Sequence, residues 1–302
     1  MRPPAPDDHG AAFADGSLVS AMLSSPLPGY TTHDVARLLG VAEERVRSFV
    51  RAGFLAPRRG ARGAYLFSFQ DLVVLRAAQG LLASGVAPRR VRRALARLHE
   101  QLPRGRSLAT VRIAAEGGSI VVRAGGEAWL AESGQQVLDF EVAPLAAAAA
   151  PFTERAYAEA RDREDLEADD WYEVACELEA TAPAAAQEAY GKALALDPEH
   201  PDAHLNLGRL LHEDGDAAGA AAHYRRALAA RPGDVTASFN LGVALQDLDR
   251  PREAIAAYLE ALAADPACAD AHYNLAGLYE ELGEGAETIR HLAAYKKLLE
   301  RE

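Results

Sequence analysis

Residues 41–55, VAEERVRSFVRAGFL, place acidic, basic and hydroxyl side chains on one short segment. At helical spacing Val46, Phe49 and Val50 form an apolar stripe over residues 43–52, which leaves a polar face opposite. Guanidinium groups bind phosphate and guanine through paired hydrogen bonds, and a carboxylate accepts from the cytosine amino group. The polar residues of this helix are Glu43, Glu44, Arg45, Arg47, Ser48 and Arg51. The segment therefore has the chemistry of a DNA-contacting helix.

The charge of the chain is divided between two regions. Residues 30–106 contain 15 arginines and 5 acidic residues, a formal charge of +10, although the whole chain of 302 residues carries −12. Such a division indicates one module suited to a polyanion and another that avoids it. With 49% hydrophobic and 25% charged residues, the composition is that of a folded chain of two or three domains.

The basic region divides into helices separated by a tight turn and a basic loop. Thr31 or Thr32 caps a first helix, Gly40 forms the turn, and the second helix is the one at 43–52. The loop APRRGARGAYLF follows, and further helices begin at Asp71 and Pro88. This order, with the motifs VARLLGV, VRSFVRAGFL, APRR and LFSFQDL, resembles the MerR family of transcriptional regulators over residues 30–98. The resemblance implies a winged helix-turn-helix.

In that family the second helix lies in the major groove and the wing follows the backbone or the minor groove. By resemblance, Arg47 holds a phosphate and the wing arginines supply positive charge. The candidate DNA-binding residues are Thr32, Glu44, Arg45, Arg47, Ser48, Arg51, Arg58, Arg59, Arg62 and Tyr65.

Two departures from the family pattern leave the DNA sequence preference open. Ser48 and Phe49 stand where the family has a pair of tyrosines, and Val50 replaces the acidic residue after them. In the wing, Ala64 and Tyr65 follow the glycine, where the family has tyrosine and arginine. The buried positions are intact, so the fold prediction is unaffected.

The segment PRRVRRALARL (88–98) is a second basic helix. Val91, Leu95 and Leu98 form its apolar stripe and leave its arginines outside. Three interpretations stay open: further phosphate contacts, a dock for the acidic part of the chain that would couple partner binding to DNA release, and a solvated amphipathic helix.

Residues beyond 171 repeat with a period of 34. Pro198, Pro232 and Pro266 end similar segments at this spacing, and LNLG, FNLG and YNLA recur at the same interval. A 34-residue helix–turn–helix unit of this kind resembles the tetratricopeptide repeat. Small residues at helix crossings, such as Gly208 and Gly242, and the recurring tyrosines Tyr190, Tyr224 and Tyr258 fit the resemblance.

Repeats of this family bind extended peptides in a groove formed by the first helix of each unit. The candidate peptide-binding residues are Asn206, Asn240, Asn274, Arg209, Asp202 and Asp270. An asparagine amide both donates to and accepts from a peptide backbone; the alternative is that asparagine here only supports the helices. Carboxylates outnumber the single Arg209, so a neutral or basic partner is expected rather than an acidic one, unless these carboxylates are only a solvated face.

The predicted fold is mainly α, with a winged helix, a small β-rich segment and a helical repeat array. The expected divisions are a disordered tail (1–29), the DNA-binding domain (30–102), a strand-rich segment (103–142), a linker and helix (143–170) and about four repeats (171–302). Period-two patterns and Gly-rich turns predict three or four strands over 107–142.

The sequence argues against several other functions. Cys176 and Cys268 lie far apart, and without a Cys/His cluster we expect no metal site, disulfide or cofactor. No nucleophile, phosphate loop or carboxylate pair indicates an enzyme. With neither a signal peptide nor a membrane-length apolar run, a cytoplasmic protein is expected. No long heptad helix follows Leu102, so the surface of any homodimer is left open.

Two hypotheses remain. The first is a transcriptional regulator that binds promoter DNA through the winged helix and a protein or peptide through the repeats. The second is a scaffold whose winged helix has lost specific DNA binding. Clustered arginines in the second helix and wing favour the first.

Overall fold

The computed structural model describes residues 27–60, 63–83, 87–91, 95, 112–116, 119–124, 127–129 and 136–300. Residues 1–26 of the predicted disordered tail, and Arg62 of the wing, lie outside these ranges. Leu27, which was assigned to the tail, is buried in the core of the first repeat, so residues 27–29 belong to the folded chain.

The N-terminal module is a small three-stranded sheet with helices packed on it. In chain order it comprises β1 (Tyr30–Thr31), α1 (Thr32–Leu39), α2 (Glu43–Arg51), β2 (Arg58–Arg59), β3 (Tyr65–Phe67) and α3 (Phe69–Ala83). Of the two threonines, Thr31 is the cap: its hydroxyl accepts from the Asp34 amide, and Asp34 accepts from the Thr31 amide. Gly40 ends α1 in the left-handed region, at φ 66°.

The interior of this module follows the predicted helical faces. Val35, Leu39, Val46 and Phe49 are buried, whereas Val50 is only partly covered. Residues 88–91 and 95 are helical as well, and Val91 and Leu95 are buried in the same core. Val91 and Leu95 thus hold this segment to the winged helix.

A separate antiparallel sheet occupies the strand-rich segment. It consists of β4 (Arg112–Glu116), β5 (Ser119–Ala124), β6 (Glu127–Trp129) and β7 (Gln136–Glu141), in the order β6-β5-β4-β7. The register aligns Ile113 of β4 with Val122 on one side and Phe140 on the other. The four strands lie where the period-two pattern predicts them.

Residues 143–160 form one helix, α4 (Ala143–Ala160), which joins the two modules. Residues 143–151 were expected to be a linker or a loosely fixed helix, but Leu145, Ala146 and Ala149 are buried in the winged-helix core. Further along, Ala156, Tyr157 and Ala160 are buried in the core of the first repeat. Phe152 contacts both cores and stacks on Tyr30 with ring centroids 4.3 Å apart. Short alanine side chains allow this close approach on both faces.

The remaining helices form four antiparallel pairs. They are α5 (Ala168–Leu178), α6 (Pro183–Leu196), α7 (Pro201–Glu213), α8 (Ala217–Ala230), α9 (Val235–Asp247), α10 (Pro251–Ala264), α11 (Ala269–Glu281) and α12 (Gly285–Leu299). Tyr190, Tyr224 and Tyr258, one in the second helix of each of the first three pairs, are fully buried. A Cβ at Gly242 would lie 2.5 Å from the Tyr258 ring, so glycine is what allows α9 and α10 to cross here.

Two histidine pairs occur at matching positions in the second and fourth repeats. His204 and His223 face each other with Nδ1 atoms 2.9 Å apart, and His272 and His291 do the same. The His204 Nε2–H donates to the carbonyl of Pro198, so its Nδ1 must accept from His223. Burial lowers the pKa of His204, His223 and His291, so the folded protein favours their neutral forms.

These pairs are expected to make the repeats acid-labile. Histidines of the unfolded chain take up protons below about pH 6.5, whereas His204, His223 and His291 resist protonation in the folded protein, so stability falls as the pH drops below that value. Replacing His204 with Ser and His223 with Ala, their counterparts Ser238 and Ala257 in the third repeat, should reduce this fall. Urea unfolding at pH 7.5 and pH 5 measures it. An undiminished pH dependence in the variant would contradict this assignment.

Candidate nucleic-acid and peptide interfaces

The exposed face of α2 carries two arginines held by two glutamates. The Arg47 Nη2 lies 2.6 Å from Glu43 Oε2, and Arg51 pairs with Glu44. Glu44 also lies 3.8 Å from Arg47, so it restrains both arginines. A hydrogen bond from His33, followed by Arg47, lowers the pKa of Glu43 and keeps it ionised. The helix thus presents arginines in fixed positions, with partners that phosphate groups could replace.

The other predicted residues of this region have more local roles. The Arg45 guanidinium lies over the Phe49 ring at 5.0 Å, with the side chain exposed. The Ser48 hydroxyl donates to the Arg45 carbonyl at 2.7 Å, so it is engaged within the helix. Thr32 is the first residue of α1 and is partly exposed.

The wing is a short hairpin stiffened by one arginine. β2 and β3 pair antiparallel, with Arg59 opposite Tyr65. The Arg59 guanidinium lies 4.0 Å from the Tyr65 ring centroid and donates to the Tyr65 hydroxyl and the Gly63 carbonyl. Gly63 has φ 76°, a conformation that strongly favours glycine. The ring and guanidinium thus set the shape of the wing, while Arg62 is outside the described residues.

Arg58, at the base of the wing, faces the first repeat. Its Nη2 lies 4.0 Å from Glu177 Oε1 on α5, and both side chains are partly covered. Glu177 has no mark in the sequence that predicts this contact, because no local signal pairs two residues so far apart in the chain. The contact puts a candidate DNA-binding arginine beside a carboxylate of the repeat array.

The second basic helix exposes both of the arginines that the structure describes there. Arg89 and Arg90 are exposed, whereas Arg92, Arg93 and Arg97 lie outside the described residues. The three interpretations of this segment therefore stay open.

Two residues of the asparagine ladder (Asn206, Asn240 and Asn274) are hydrogen-bonded to the recurring tyrosines. The Asn206 amide donates to the Tyr190 hydroxyl at 3.0 Å, and Asn274 donates to the Tyr258 hydroxyl at 3.1 Å. Tyr190 in turn donates to Glu179 at 2.6 Å, and Tyr258 bonds to Gln246. Asn206 is only 5% exposed, whereas Asn240 and Asn274 are partly exposed. Each chain of hydrogen bonds connects one repeat to the next.

The charged residues that are predicted to bind a peptide differ in the ion pairs that they already form within the repeat array. Arg209 bridges Glu179 and Glu213, each at 2.7 Å. Asp202 accepts two 2.7 Å hydrogen bonds from Arg231, the residue that follows α8, and these lower the pKa of Asp202. Asp270 is exposed on α11. Arg209 and Asp202 are therefore already paired within the repeat array, and Asp270 is the most accessible of the six predicted residues.

Among the described residues, neither the Cys176 thiol nor a group of possible metal ligands indicates a reactive centre. Burial raises the pKa of Cys176 to about 11, so its thiol stays protonated. Within the part of the chain that the structure describes, no three His, Cys, Asp or Glu side chains are grouped to hold a metal ion. A search of the same residues finds no helix of the length and apolarity needed to span a bilayer.

Comparison with known families gives two matches. The family model for MerR HTH family regulatory proteins matches residues 30–98, and that for the tetratricopeptide repeat matches residues 177–235 and 239–299. These matches confirm the predicted fold class, mainly α with a winged helix-turn-helix and a repeat array. Both families are regulatory or interaction-type rather than catalytic.

Similar solved structures include those of MamA. The crystal structure of MamA has 20% identity over 49% of this chain and 86% of MamA, with a TM-score of 0.46. MamA from Desulfovibrio magneticus RS-1 has 21% identity over 49% of this chain and 84% of that chain, with a TM-score of 0.45. No curated protein matches the chain.

Proposed function

Because the chain carries a MerR-type helix-turn-helix domain followed by tetratricopeptide repeats, we propose that it is a DNA-binding transcriptional regulator. Its winged helix would bind promoter DNA, and its repeats would bind a protein or peptide. The observation that carries the proposal is the exposed arginine face of α2, where Arg47 and Arg51 are oriented by glutamates without being buried.

Binding would proceed by exchange of partners at that face. Phosphate oxygens would replace Glu43 and Glu44 as acceptors for Arg47 and Arg51, since a phosphate offers the same paired geometry. Glu44 would then be free to accept from a cytosine amino group or to repel other bases. Thus the two glutamates are compatible with DNA binding, and Glu44 would contribute to selectivity.

The DNA half of the proposal is tested by titrating mixed-sequence duplex at several salt concentrations. Affinity should fall steeply with salt, because each arginine–phosphate contact releases counterions. Mapping of bound genomic sites in the native organism would then identify the operator. No binding to any duplex at low salt would instead support a scaffold whose winged helix has lost this activity.

For the repeats, we propose that Asn206, Asn240 and Asn274 bind the backbone of an extended partner, with a neutral or basic partner favoured. Alanine at all three positions should abolish capture of peptides on an array of basic and neutral sequences. Helicity should be retained, because the hydrogen bonds that Asn206 and Asn274 donate to tyrosines contribute only about 1 kcal/mol each. Capture on the array and circular dichroism measure the two effects.

A matched control separates binding from support. Tyr190→Phe with Tyr258→Phe removes the same hydrogen bonds but leaves the asparagine amides in place. If the asparagines bind the partner, this variant should still capture peptides. Unchanged capture by the triple alanine variant would show that the ladder only stabilises the stack.

A further inference from the structure

A cavity of about 580 Å³ lies between the third and fourth repeats, and we call it the histidine cavity. One wall is apolar and comes from α10 and the turn after it, whereas the other comes from α11 and α12. The residues of these walls that matter below are Leu259, Leu262 and Pro266 on the first, and His272, Tyr279 and His291 on the second. Sites for small molecules are concave and mostly apolar, with a few polar groups and volumes of about 300–1,000 Å³. The histidine cavity has the size and lining of such a site.

The equivalent groove between the second and third repeats has a different lining. It measures about 460 Å³, and Ser238 lies in it 34 residues before His272. The described residues that line it include no histidine and no aromatic side chain. A groove at this place is therefore a general result of stacking the repeats, whereas the imidazole and phenol rings are particular to the histidine cavity.

His272 has a ring nitrogen that the protein does not use. In the second repeat, both nitrogens of His204 are bonded, Nδ1 to His223 and Nε2 to the carbonyl of Pro198. His272 has the same contact at Nδ1, which lies 2.9 Å from Nδ1 of His291. Among the described residues, however, no group is hydrogen-bonded to its Nε2. Since His272 lines the cavity, this nitrogen is available to a ligand there.

The groups around His291 make that nitrogen a hydrogen-bond acceptor. A hydrogen bond between two Nδ1 atoms needs one N–H and one lone pair. The Glu287 carboxylate lies 4.0 Å from His291 Nε2 and favours a proton on that nitrogen. Burial lowers the pKa of His291, so the ring is neutral and its Nδ1 carries the lone pair. Neutral His272 therefore donates from Nδ1, and its Nε2 accepts.

The charged groups of the cavity neutralise each other. The Arg290 guanidinium lies 3.3 Å from Glu287 Oε2, and the Arg290 side chain is 75% exposed. The described residues that line the cavity include no other Asp, Glu, Lys or Arg. An ionised ligand would have to compete with this pair and lose water against the leucines, which costs free energy. The cavity therefore favours an uncharged ligand.

The remaining surfaces suit an aromatic ring. Tyr279 stacks on His291 with ring centroids 5.6 Å apart, and Leu259 and Leu262 lie on the other wall. We propose that the histidine cavity binds a phenol, an uncharged aromatic molecule whose hydroxyl group donates to His272 Nε2. The proposal requires neither DNA binding nor peptide capture, and its tests use neither.

The first test is calorimetric titration of the full chain at pH 7.5 with three related probes: a naphthol, its methyl ether and the corresponding naphthoate. The naphthol should bind with a Kd of about 1 mM or lower. The ether cannot donate a hydrogen bond, so it should bind about fivefold more weakly or worse, and the charged naphthoate should also bind more weakly than the naphthol. Absence of naphthol binding at millimolar concentration, or an ether or naphthoate that binds as tightly, would overturn the proposal.

The second test removes the acceptor and keeps a ring. His272→Phe should weaken naphthol binding by about fivefold or more and leave binding of the methyl ether nearly unchanged. His204→Phe is the matched control, because it makes the same change in a histidine whose Nε2 is already bonded, and it should alter neither affinity. Naphthol binding that is equal in the wild-type protein and the folded His272→Phe variant would contradict the assignment of Nε2.

A third variant tests the apolar wall without risk to the histidine pair. Leu259 is 43% exposed, and Arg225 stands at the equivalent position one repeat earlier, so Leu259→Arg should fold normally. A charge on this wall should weaken the binding of both the naphthol and its ether. If both probes bind this variant as they bind the wild-type protein, they occupy another site and the proposal fails.

Discussion

Replacing Arg47 and Arg58 together with alanine is expected to weaken duplex binding by about 100-fold or more. Each arginine would lose a charge-assisted hydrogen bond to phosphate, worth about 1.5–3 kcal/mol. The slope of log affinity against log salt concentration should also become shallower by about 2, one unit for each contact. Titration of one duplex at several salt concentrations measures both quantities.

The structure supplies controls for each arginine. Arg225→Ala removes an exposed arginine that is also ion-paired, to Glu253 at 3.4 Å, but lies on a repeat helix. It should leave DNA binding unchanged. Glu177→Gln removes the Arg58 contact from the other side and should preserve binding or strengthen it. Equal affinity and slope in the wild-type protein and the double alanine variant would exclude these arginines as the DNA contacts.

Replacing Gly242 with alanine is expected to destabilise the repeats by about 1–3 kcal/mol. The added Cβ would lie 2.5 Å from Cε1 and 2.7 Å from Cδ1 of Tyr258. That ring is fully buried and so has no space into which to move. Urea unfolding at neutral pH gives the free energy change directly.

A second glycine, in the first helix of the next repeat, gives a control of opposite sign. A Cβ on Gly277 of α11 would meet nothing within 4 Å, so Gly277→Ala should stabilise by up to about 1 kcal/mol through helix propensity. The fourth repeat shows how the clash is avoided, since Ala276 and Leu292 stand where Gly242 and Tyr258 stand one repeat earlier.

Adding Tyr258→Leu to Gly242→Ala copies the pairing found in the fourth repeat. The loss in the free energy of unfolding caused by Gly242→Ala should then be smaller with leucine at position 258 than with tyrosine there. An additive result would mean that the glycine is required for some reason other than contact with the tyrosine ring.

Short-range features were predictable from the sequence. The buried positions of α2 follow from 3.6-residue periodicity, and the Glu43–Arg47 pair follows from i,i+4 spacing. The 34-residue period likewise predicted which tyrosines are buried. In each case the signal and the contact lie within one element or one repeat.

Contacts between distant segments were not predictable. The pairing of Arg58 with Glu177, and of Asp202 with Arg231, depends on how separate helices are placed. The repeat period predicted the position of Asn206 on its helix. It did not predict that Asn206 is buried, with its amide donating to the Tyr190 hydroxyl. The role of residues 143–151 was missed for a related reason: a run of alanines has no polar face to mark which side is buried.

Helix α4 has a consequence for where this chain can be divided. Its first half fills the winged-helix core with Leu145 and Ala149, and its second half fills the repeat core with Tyr157 and Ala160. A fragment that ends before this helix would leave an unfilled groove in the DNA-binding module, and one that begins after it would leave the first repeat uncovered. Neither module could be transplanted whole into another protein without taking α4, and one copy of the helix cannot serve two separated fragments.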